Sequence, residues 1–410
     1  MGGLLAREVR AECGTLTRAN VVTCAWRANP SLEREAESVR GADARVLTES
    51  PLLPSNPVLT ATLARRVGPG GTPEAVNWTA SLAQEVAVAG QRGLRRDAVE
   101  NELEAARNAR AEVTKRAIAR AAWGAYFGVL AARDEVALVR RMEAAGAQSV
   151  RATRERADRG LVPALDAQLA DVAQSRLVRD RFALERDRAT SLARLAAFVG
   201  SSASNVDVRG DLVPLAGAAP FVASTAGSTW SERPEAKAFA ADARAWTSRA
   251  DAFRRARVPN PTLSAFVQND GFDEKVLGLG VGLPIPLPGL GRTNRGEIAE
   301  SEAAAARARA AGAEFERDAR AEFDVARAEY ASRMEELSGY TADSLARADK
   351  ALSDLAIEIA AGRIGVRDAL LAQERLVEFL RAAVDARHAA CVASVALVAA
   401  GNGPLERGEP

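Results

Sequence analysis

Asn56-Pro57-Val58-Leu59 and Asn260-Pro261-Thr262-Leu263 are two copies of one short motif, separated by 204 positions. A second landmark recurs in the same order, because Gln91-Arg92-Gly93 matches Asn294-Arg295-Gly296 at an offset of 203 positions. The order is kept while the offset drifts slowly, which is the pattern that a duplication followed by small deletions leaves. Two copies are too few for a solenoid, so the duplication predicts a pseudo-symmetric protein that uses one unit twice.

Each motif begins a segment in which apolar and polar residues alternate. Such alternation predicts β-strands with one apolar and one polar face. The strands are predicted at about residues 57–66 and 76–88 in the first copy, and at about 261–269 and 275–285 in the second. Every second residue of the last strand is glycine, which a water-soluble sandwich rarely places on its inner face. We therefore expect each copy to contain a β-hairpin that is apolar outside and open inside.

Very long helices are predicted after each β-hairpin, because about 65 residues pass without a proline and span about 100 Å if helical. Each long helix ends at a glycine, the usual helix stop. A shorter helix is predicted over residues 16–50. The predicted parts of the two helical hairpins are, in order, a long helix (92–159), a tip (160–163) and a returning helix (164–199), then a second long helix (295–361), tip (362–365) and returning helix (366–400).

The domain division follows these boundaries. We assign repeat 1 to residues 16–200 and repeat 2 to residues 232–402, joined by a linker at 201–231 that is rich in Ser, Ala, Gly and Pro. Residues 1–15 form an N-terminal segment, and residues 403–410 form a tail. The N-terminal segment is charged and has no apolar stretch, so it does not read as a signal peptide, and we expect a truncated gene start.

Composition excludes several classes of function. The chain has 55 basic and 54 acidic residues, which argues against the basic surface that nucleic-acid binding needs. Cys13, Cys24 and Cys391 show no metal-ligand or redox spacing, and His388 with Cys391 has an i, i+3 spacing but no third ligand, so we predict no metal site. We find no nucleophile–base pair and no phosphate loop, and therefore expect no catalytic residues, no cofactor and no enzyme activity. No window reads as an apolar membrane helix.

The four predicted strands cannot form a closed barrel alone, since even small barrels need about eight strands. A sheet that crosses a membrane must leave no open edge, and strands of about nine to eleven residues suit a bilayer. Three protomers would supply twelve strands. The predicted fold is therefore mainly α-helical, with long coiled-coil hairpins below a twelve-stranded trimeric transmembrane β-barrel to which each protomer contributes four strands.

These features together resemble the TolC-type outer-membrane efflux proteins over roughly residues 14–402. The resemblance rests on the paired Asn-Pro-x-Leu motifs, on Val88-Ala89-Gly90-Gln91-Arg92-Gly93, and on the two glycine tips. The Gly-Gln-Arg pattern and the segment 284–296 are most similar to the heavy-metal-efflux branch. The resemblance implies a homotrimeric exit duct in the outer membrane that extends into the periplasm. It also implies two protein partners, a periplasmic adaptor and an inner-membrane pump such as an RND-type transporter.

The same resemblance assigns roles to the helical tips. The residues that it implies for adaptor docking are Arg159, Gly160, Leu161 and Val162 at the first tip and Gly362, Ile364 and Gly365 at the second. Asp368 matches a position where the family can place a ring of aspartates at the closed entrance of the pore. Asp166 is the corresponding residue of the first repeat. Carboxylates around a narrow axis would attract cations, whether heavy-metal ions or cationic drugs.

Simpler interpretations of these residues stay open at this point. The tip glycines are also explained as helix C-caps, and Asp166 as an acid favoured by the dipole of a helix N-terminus. Trp123, Tyr126 and Phe127 are expected to pack between helices. The alternative for the whole chain is a periplasmic adaptor or another long coiled-coil structural protein without channel activity.

Overall fold

The structure is a computed structural model that describes residues 13–66, 75–223, 230–269, 274–285 and 293–405. The chain forms two compact units. The helical unit comprises the described residues within 1–33, 114–230 and 317–410, and the sheet unit those within 34–113 and 231–316. Each unit combines segments of both predicted repeats.

The elements are, in chain order, β1 (Thr15–Leu16), α1 (Val21–Ala28), α2 (Pro30–Thr48), β2 (Val58–Arg66), β3 (Ala75–Glu85), α3 (Gln91–Ala106), a π-helical segment (Arg107–Glu112), α4 (Val113–Asp158), α5 (Ala164–Phe198), β4 (Asp207–Val208), α6 (Ala219–Ala223), α7 (Pro234–Arg255), β5 (Thr262–Asn269), β6 (Lys275–Gly282), α8 (Arg295–Ser338), α9 (Ala342–Ala360) and α10 (Val366–Ala400). Short 3₁₀ turns lie at Ala203–Asn205, Ala216–Ala218 and Trp230–Glu232.

The second long helix, predicted as continuous over 295–361, is interrupted. α8 ends at Ser338 and α9 begins at Ala342. Gly339 stops the first helix, and Thr341 caps the second, because its hydroxyl oxygen accepts a hydrogen bond from the Ser344 backbone N–H at 3.1 Å. The prediction was wrong here because it treated the absence of proline as sufficient for continuity.

The predicted helix over 16–50 is also divided. Leu16 belongs to β1 and pairs in parallel with Val208 of β4, and Asn29 separates α1 from α2 in an extended conformation. Pro30 is the first residue of α2, where a helix tolerates proline because that position needs no intrahelical N–H donor. In the first long helix, the π-helical segment separates α3 from α4.

The core of the helical unit is built around three aromatic residues of α4. Trp123, Tyr126 and Phe127 are fully buried and contact one another through ring centroids 5.5–5.8 Å apart. Their polar atoms are satisfied, since Trp123 Nε1 donates to the Leu405 carbonyl at 3.0 Å and the Tyr126 hydroxyl donates to the Arg209 carbonyl at 2.7 Å. The expectation that these residues pack between helices is confirmed.

Within the part of the chain that the structure describes, one helix, α10, is long and apolar enough to cross a membrane by length and composition, although the sequence had indicated none. The most apolar window of that helix is mostly covered, because 61% of it is buried inside the protein. Burial also raises the pKa of the Cys391 thiol on this helix to about 12, so the thiol stays protonated. α10 therefore has the character of a core helix.

The other two cysteines form a disulfide that the sequence did not predict. Cys13 and Cys24 are both buried, and their Cα atoms lie 5.9 Å apart. The bond joins the segment before β1 to α1 across 11 positions of the chain. Closing even a short loop removes conformations from the unfolded chain, so the disulfide stabilises the start of the helical unit.

Candidate functional site

The strands of the two repeats form one sheet. Its order is β2-β3-β5-β6, and all three strand pairs are antiparallel. The pairing of β3 with β5, in which Leu82 lies opposite Ala265, joins the first repeat to the second. Edges are left at β2 and β6, where backbone N–H and C=O groups have no strand partner in the described chain.

The sheet has one apolar and one polar face, as the alternation predicts. Register places most of the large apolar side chains on the same face, and Leu277 and Leu279 are 85% and 87% exposed. The large apolar residues of this face are Leu59, Leu63, Val76, Trp78, Leu82, Leu263, Val267, Leu277, Leu279 and Val281, while Val58, Phe266 and Val276 lie on the opposite face. A contiguous exposed apolar patch marks a surface that contacts a membrane or another protein.

The opposite face carries threonine, serine and glycine, but it is not open throughout. The ring of Phe266 covers Gly278 on the neighbouring strand. A Cβ atom added at Gly278 would lie 2.3 Å from Phe266 Cζ, which is closer than non-bonded atoms approach. The expectation of a bare inner face is therefore wrong at this position, where glycine makes room for an aromatic ring.

This contact predicts the effect of Gly278→Ala. The new methyl group would displace the Phe266 ring, and overpacking of this kind costs about 1–3 kcal/mol. We expect a lower urea midpoint for unfolding of the reconstituted protein. The matched control is Gly282→Ala, whose Cβ would meet Thr262 Cβ at an ordinary 3.8 Å. Equal midpoints for the two variants would contradict the role assigned to Gly278.

A buried hydrogen-bonded chain lies where the sheet meets its helices. Gln91 is 1% exposed, and its Nε2 donates to Asn260 Oδ1 at 3.0 Å, while Asn260 Nδ2 donates to Glu85 Oε1 at 2.7 Å. The Gln91 amide also lies within hydrogen-bond reach of the Arg255 and Val258 carbonyls. Two motifs that the sequence identified only as landmarks are thus in direct contact, one from each repeat.

The two helical tips have the same backbone structure. At the first, the Gly160 N–H donates to the Ala157 carbonyl and the Leu161 N–H to the Arg156 carbonyl, both at 2.9 Å. At the second, Gly362 and Arg363 donate at 3.0 Å to the carbonyls of Ile359 and Glu358, respectively. Both glycines have positive φ angles, +74° and +71°. These are Schellman C-caps, which explain why glycine occupies both positions.

The residues implied for docking divide into two groups at these tips. Arg159, Gly160, Leu161, Gly362 and Gly365 are exposed. Val162 and Ile364 are half-buried instead and pack against the apolar cluster that includes Leu355 and Ile359. Their side chains therefore contribute to the packing of the hairpins.

Polar contacts join one tip to the other. The guanidinium of Arg156, in the first hairpin, donates to the Ile359 carbonyl at the end of α9. Arg367, at the start of α10, pairs with Asp166 at the start of α5, with Nε 3.5 Å from Oδ1. Within the second tip, hydrogen bonds from Arg363 lower the pKa of Glu358. The sequence did not reveal the contacts between tips.

The two candidate pore aspartates differ in exposure and in pairing. The side chain of Asp166 is only 13% exposed and is paired with Arg367. Asp368 is exposed, and its Oδ2 lies 3.3 Å from the point where a Cβ of Gly365 would stand. The glycine thus leaves room for the Asp368 carboxylate above the first turn of α10. Asp166 fits a structural role, whereas Asp368 is free to face solvent.

The Asp166–Arg367 pair predicts a local effect. In Asp166→Asn the ion pair is lost, and because Arg367 is largely exposed the stabilisation at stake is about 0.2–1 kcal/mol. We expect backbone amides of residues 160–166 to exchange up to about fivefold faster, measured by hydrogen exchange. The control is Glu374→Gln, which removes the exposed Arg176–Glu374 pair between α5 and α10. Unchanged exchange at the tip in Asp166→Asn would show that the pair does not hold the tips together.

Comparisons with known proteins identify the fold. No family profile and no curated protein matches the chain. Among solved structures, the outer-membrane channel OprN is 18% identical, with a TM-score of 0.75 over 94% of this chain and 90% of that one. CusC, described as forming a transmembrane channel, is 16% identical, with a TM-score of 0.77 over 94% and 92%. The outer membrane protein VceC of Vibrio cholerae is 18% identical, with a TM-score of 0.74 over 95% and 96%.

These likenesses extend over nearly the whole chain, including the sheet and both helical hairpins. At such low identity they establish the fold. The chain therefore has the fold of the TolC-type outer-membrane efflux channels.

Proposed function

We propose that this protein is the outer-membrane exit duct of a tripartite efflux pump, which conducts substrates passively from the periplasm to the exterior. The observation that carries the proposal is the four-stranded sheet, most of whose large apolar side chains are exposed on one face while its other face is mainly polar. A lipid bilayer solvates such an apolar face, and water inside a barrel solvates the polar one.

The edges of the sheet support a homotrimer. Lipid cannot satisfy the free N–H and C=O groups of β2 and β6, so a membrane-spanning sheet has to close. β6 of one protomer and β2 of the next can provide that closure. Three copies of four strands make a twelve-stranded barrel, which is wide enough to leave a channel.

The disulfide supports the proposed location. A buried Cys13–Cys24 bond is typical of proteins exposed to an oxidising environment such as the periplasm. The proposal places the sheet in the outer membrane and the helical unit in the periplasm. There the exposed tip residues would dock a periplasmic adaptor, and an inner-membrane pump such as an RND-type transporter would supply the energy.

The substrate class follows from the tip chemistry and from the resemblance. The exposed carboxylate of Asp368 would occur three times around the axis of a trimer and would attract cations at the entrance. The proposed substrates are heavy-metal cations or drugs. The substitution Asp368→Asn, which removes the charge, tests whether the carboxylate attracts cations. It should reduce export of cations and leave export of neutral compounds unchanged.

Membrane fractionation combined with gel migration before and after heating tests the proposal. The expected result is an outer-membrane protein that migrates as a trimer until it is heated. A soluble monomer would contradict the proposal and would favour the alternative, a periplasmic adaptor or other coiled-coil protein.

A further inference from the structure

The loop that leads into β2 exposes two large apolar side chains. It contains Pro51-Leu52-Leu53-Pro54, and Leu52 is 79% exposed. Its position is fixed on both sides: Arg92 donates to the Ser50 and Pro51 carbonyls, and Gln84 Nε2 donates to the Ser55 carbonyl at 3.0 Å. An ordered loop that presents adjacent leucines to solvent is a candidate contact surface where it adjoins a larger apolar patch.

The position of the loop relates it to the apolar face of the sheet. Gln84 follows Leu82 on that same face of β3, at the end of the strand nearest the helices. Because Gln84 binds Ser55, the loop lies beside the point at which the large apolar residues of β3 stop. Leu52 and Leu53 therefore continue the apolar surface beyond the strand.

The length of the apolar surface differs across the sheet. On β2 the large apolar residues run from Leu59 to Leu63, about 14 Å at 3.4 Å per residue, and on β3 from Val76 to Leu82, about 20 Å. Within β6 the run from Leu277 to Val281 is also about 14 Å, and Leu283 and Ile285 after the strand extend it to about 27 Å if the chain stays extended. Transmembrane barrels have an apolar band about 25 Å tall. Each of these runs is shorter than that height within its strand, and beside β6 two residues outside the strand make up the difference.

The charge beside the loop points to the kind of partner. Among the described residues, no carboxylate pairs with Arg92, so its positive charge stands next to the two leucines. A guanidinium adjoining exposed leucines suits the boundary between acyl chains and phosphate headgroups. A protein partner with an apolar surface would leave that charge without a counter-ion.

We infer that Leu52 and Leu53 are a lipid anchor, which completes the apolar band in the periplasmic leaflet while Arg92 meets a lipid phosphate. This inference rests on the proposed function, because it takes the sheet to span the membrane. It adds a point of lipid contact outside the strands, beside β2, whose own run of large apolar residues is only about 14 Å.

Insertion into vesicles of two thicknesses tests the anchor. We expect Leu52→Ser/Leu53→Ser to insert about tenfold less than the wild type into dioleoylphosphatidylcholine vesicles, given the apolar area removed. In thinner dilauroylphosphatidylcholine vesicles the variant should match the wild type within about twofold, because a shorter band then suffices. The control is Val172→Ser, which removes a 68% exposed valine from α5 in the helical unit. Equal insertion of variant and wild type in the thicker vesicles would overturn the inference.

A label on the wild-type background keeps the test decisive if the double variant does not assemble. Cys391 is buried and the other cysteines are bonded, so a single Leu52→Cys can be labelled with a fluorophore. We expect brominated lipid to quench this label and not a label at Val172→Cys. Protection from both brominated lipid and aqueous iodide would mean that a neighbouring protomer covers the loop, and would refute the anchor. Failure of the wild type itself to insert would count against the proposed function instead.

Discussion

Replacing Gly362 by aspartate should abolish efflux while the trimer still assembles. Gly362 has a φ of +71°, and its Cβ would lie 3.1 Å from Arg156 Nη2. Aspartate tolerates the left-handed region better than most residues, at a cost of about 1–2 kcal/mol. Its carboxylate would attract the Arg156 guanidinium away from the Ile359 carbonyl and add three negative charges to the proposed docking face. Drug and metal susceptibility would report efflux, and gel migration would report assembly.

The matched control for backbone strain is Gly90→Asp. Gly90 has nearly the same φ, +75°, and no atom lies within 4 Å of its hypothetical Cβ. It belongs to the sheet unit, outside the proposed docking residues. We expect this variant to keep both assembly and efflux. If Gly362→Asp prevents assembly as well, the tip glycine serves folding alone and its docking role is refuted.

Replacing Gln91 by leucine should strongly destabilise the sheet unit. Leucine nearly preserves the volume but leaves two half-buried groups, Asn260 Oδ1 and the Ala89 N–H, without the Gln91 atoms that pair with them. Each unsatisfied buried group costs about 1–3 kcal/mol, so the free energy of unfolding should fall by about 3 kcal/mol. The measurement is urea unfolding of the reconstituted protein.

Gln168→Leu provides the comparison for this substitution. Gln168 is exposed on α5, so the same exchange should change the free energy of unfolding by no more than about 0.5 kcal/mol. A lower free energy of unfolding in Gln91→Leu but not in Gln168→Leu would assign a structural role to the Gly-Gln-Arg motif. If Gln91→Leu has the same free energy of unfolding as the wild type, the hydrogen bonds of Gln91 contribute little net stability.

The strands could be predicted from the sequence because their signal is local. The structure places β2 at Val58–Arg66, against a predicted 57–66, and β5 at Thr262–Asn269, against 261–269. A slip of one residue would turn every leucine to the wrong face, so the alternating pattern fixes the register as well as the position. The pairing of β3 with β5 could not be predicted in the same way, because the two strands are distant in sequence and no local pattern specifies them as neighbours.

Only part of the candidate site could be predicted from the sequence, for the same reason. Glycine at a helix end is a local signal, and both tips have the predicted C-caps. The contact of Arg156 with Ile359 spans 203 positions and joins residue types that are common on helix surfaces. The disulfide is also a matter of spatial proximity, since Cys13 lies before β1 and Cys24 within α1. By contrast, the break between α8 and α9 could have been predicted from the sequence. Gly339 is a helix-stop residue, and Thr341 two positions later is an N-cap residue.

Single-channel recording in planar lipid bilayers is the sharpest test of whether three copies of this sheet close into a water-filled barrel. Purified trimer should give stepwise increases in conductance, whose ion selectivity shifts toward anions when Asp368 is replaced by asparagine. A trimer that inserts into the bilayer yet produces no conductance steps would contradict the proposed barrel.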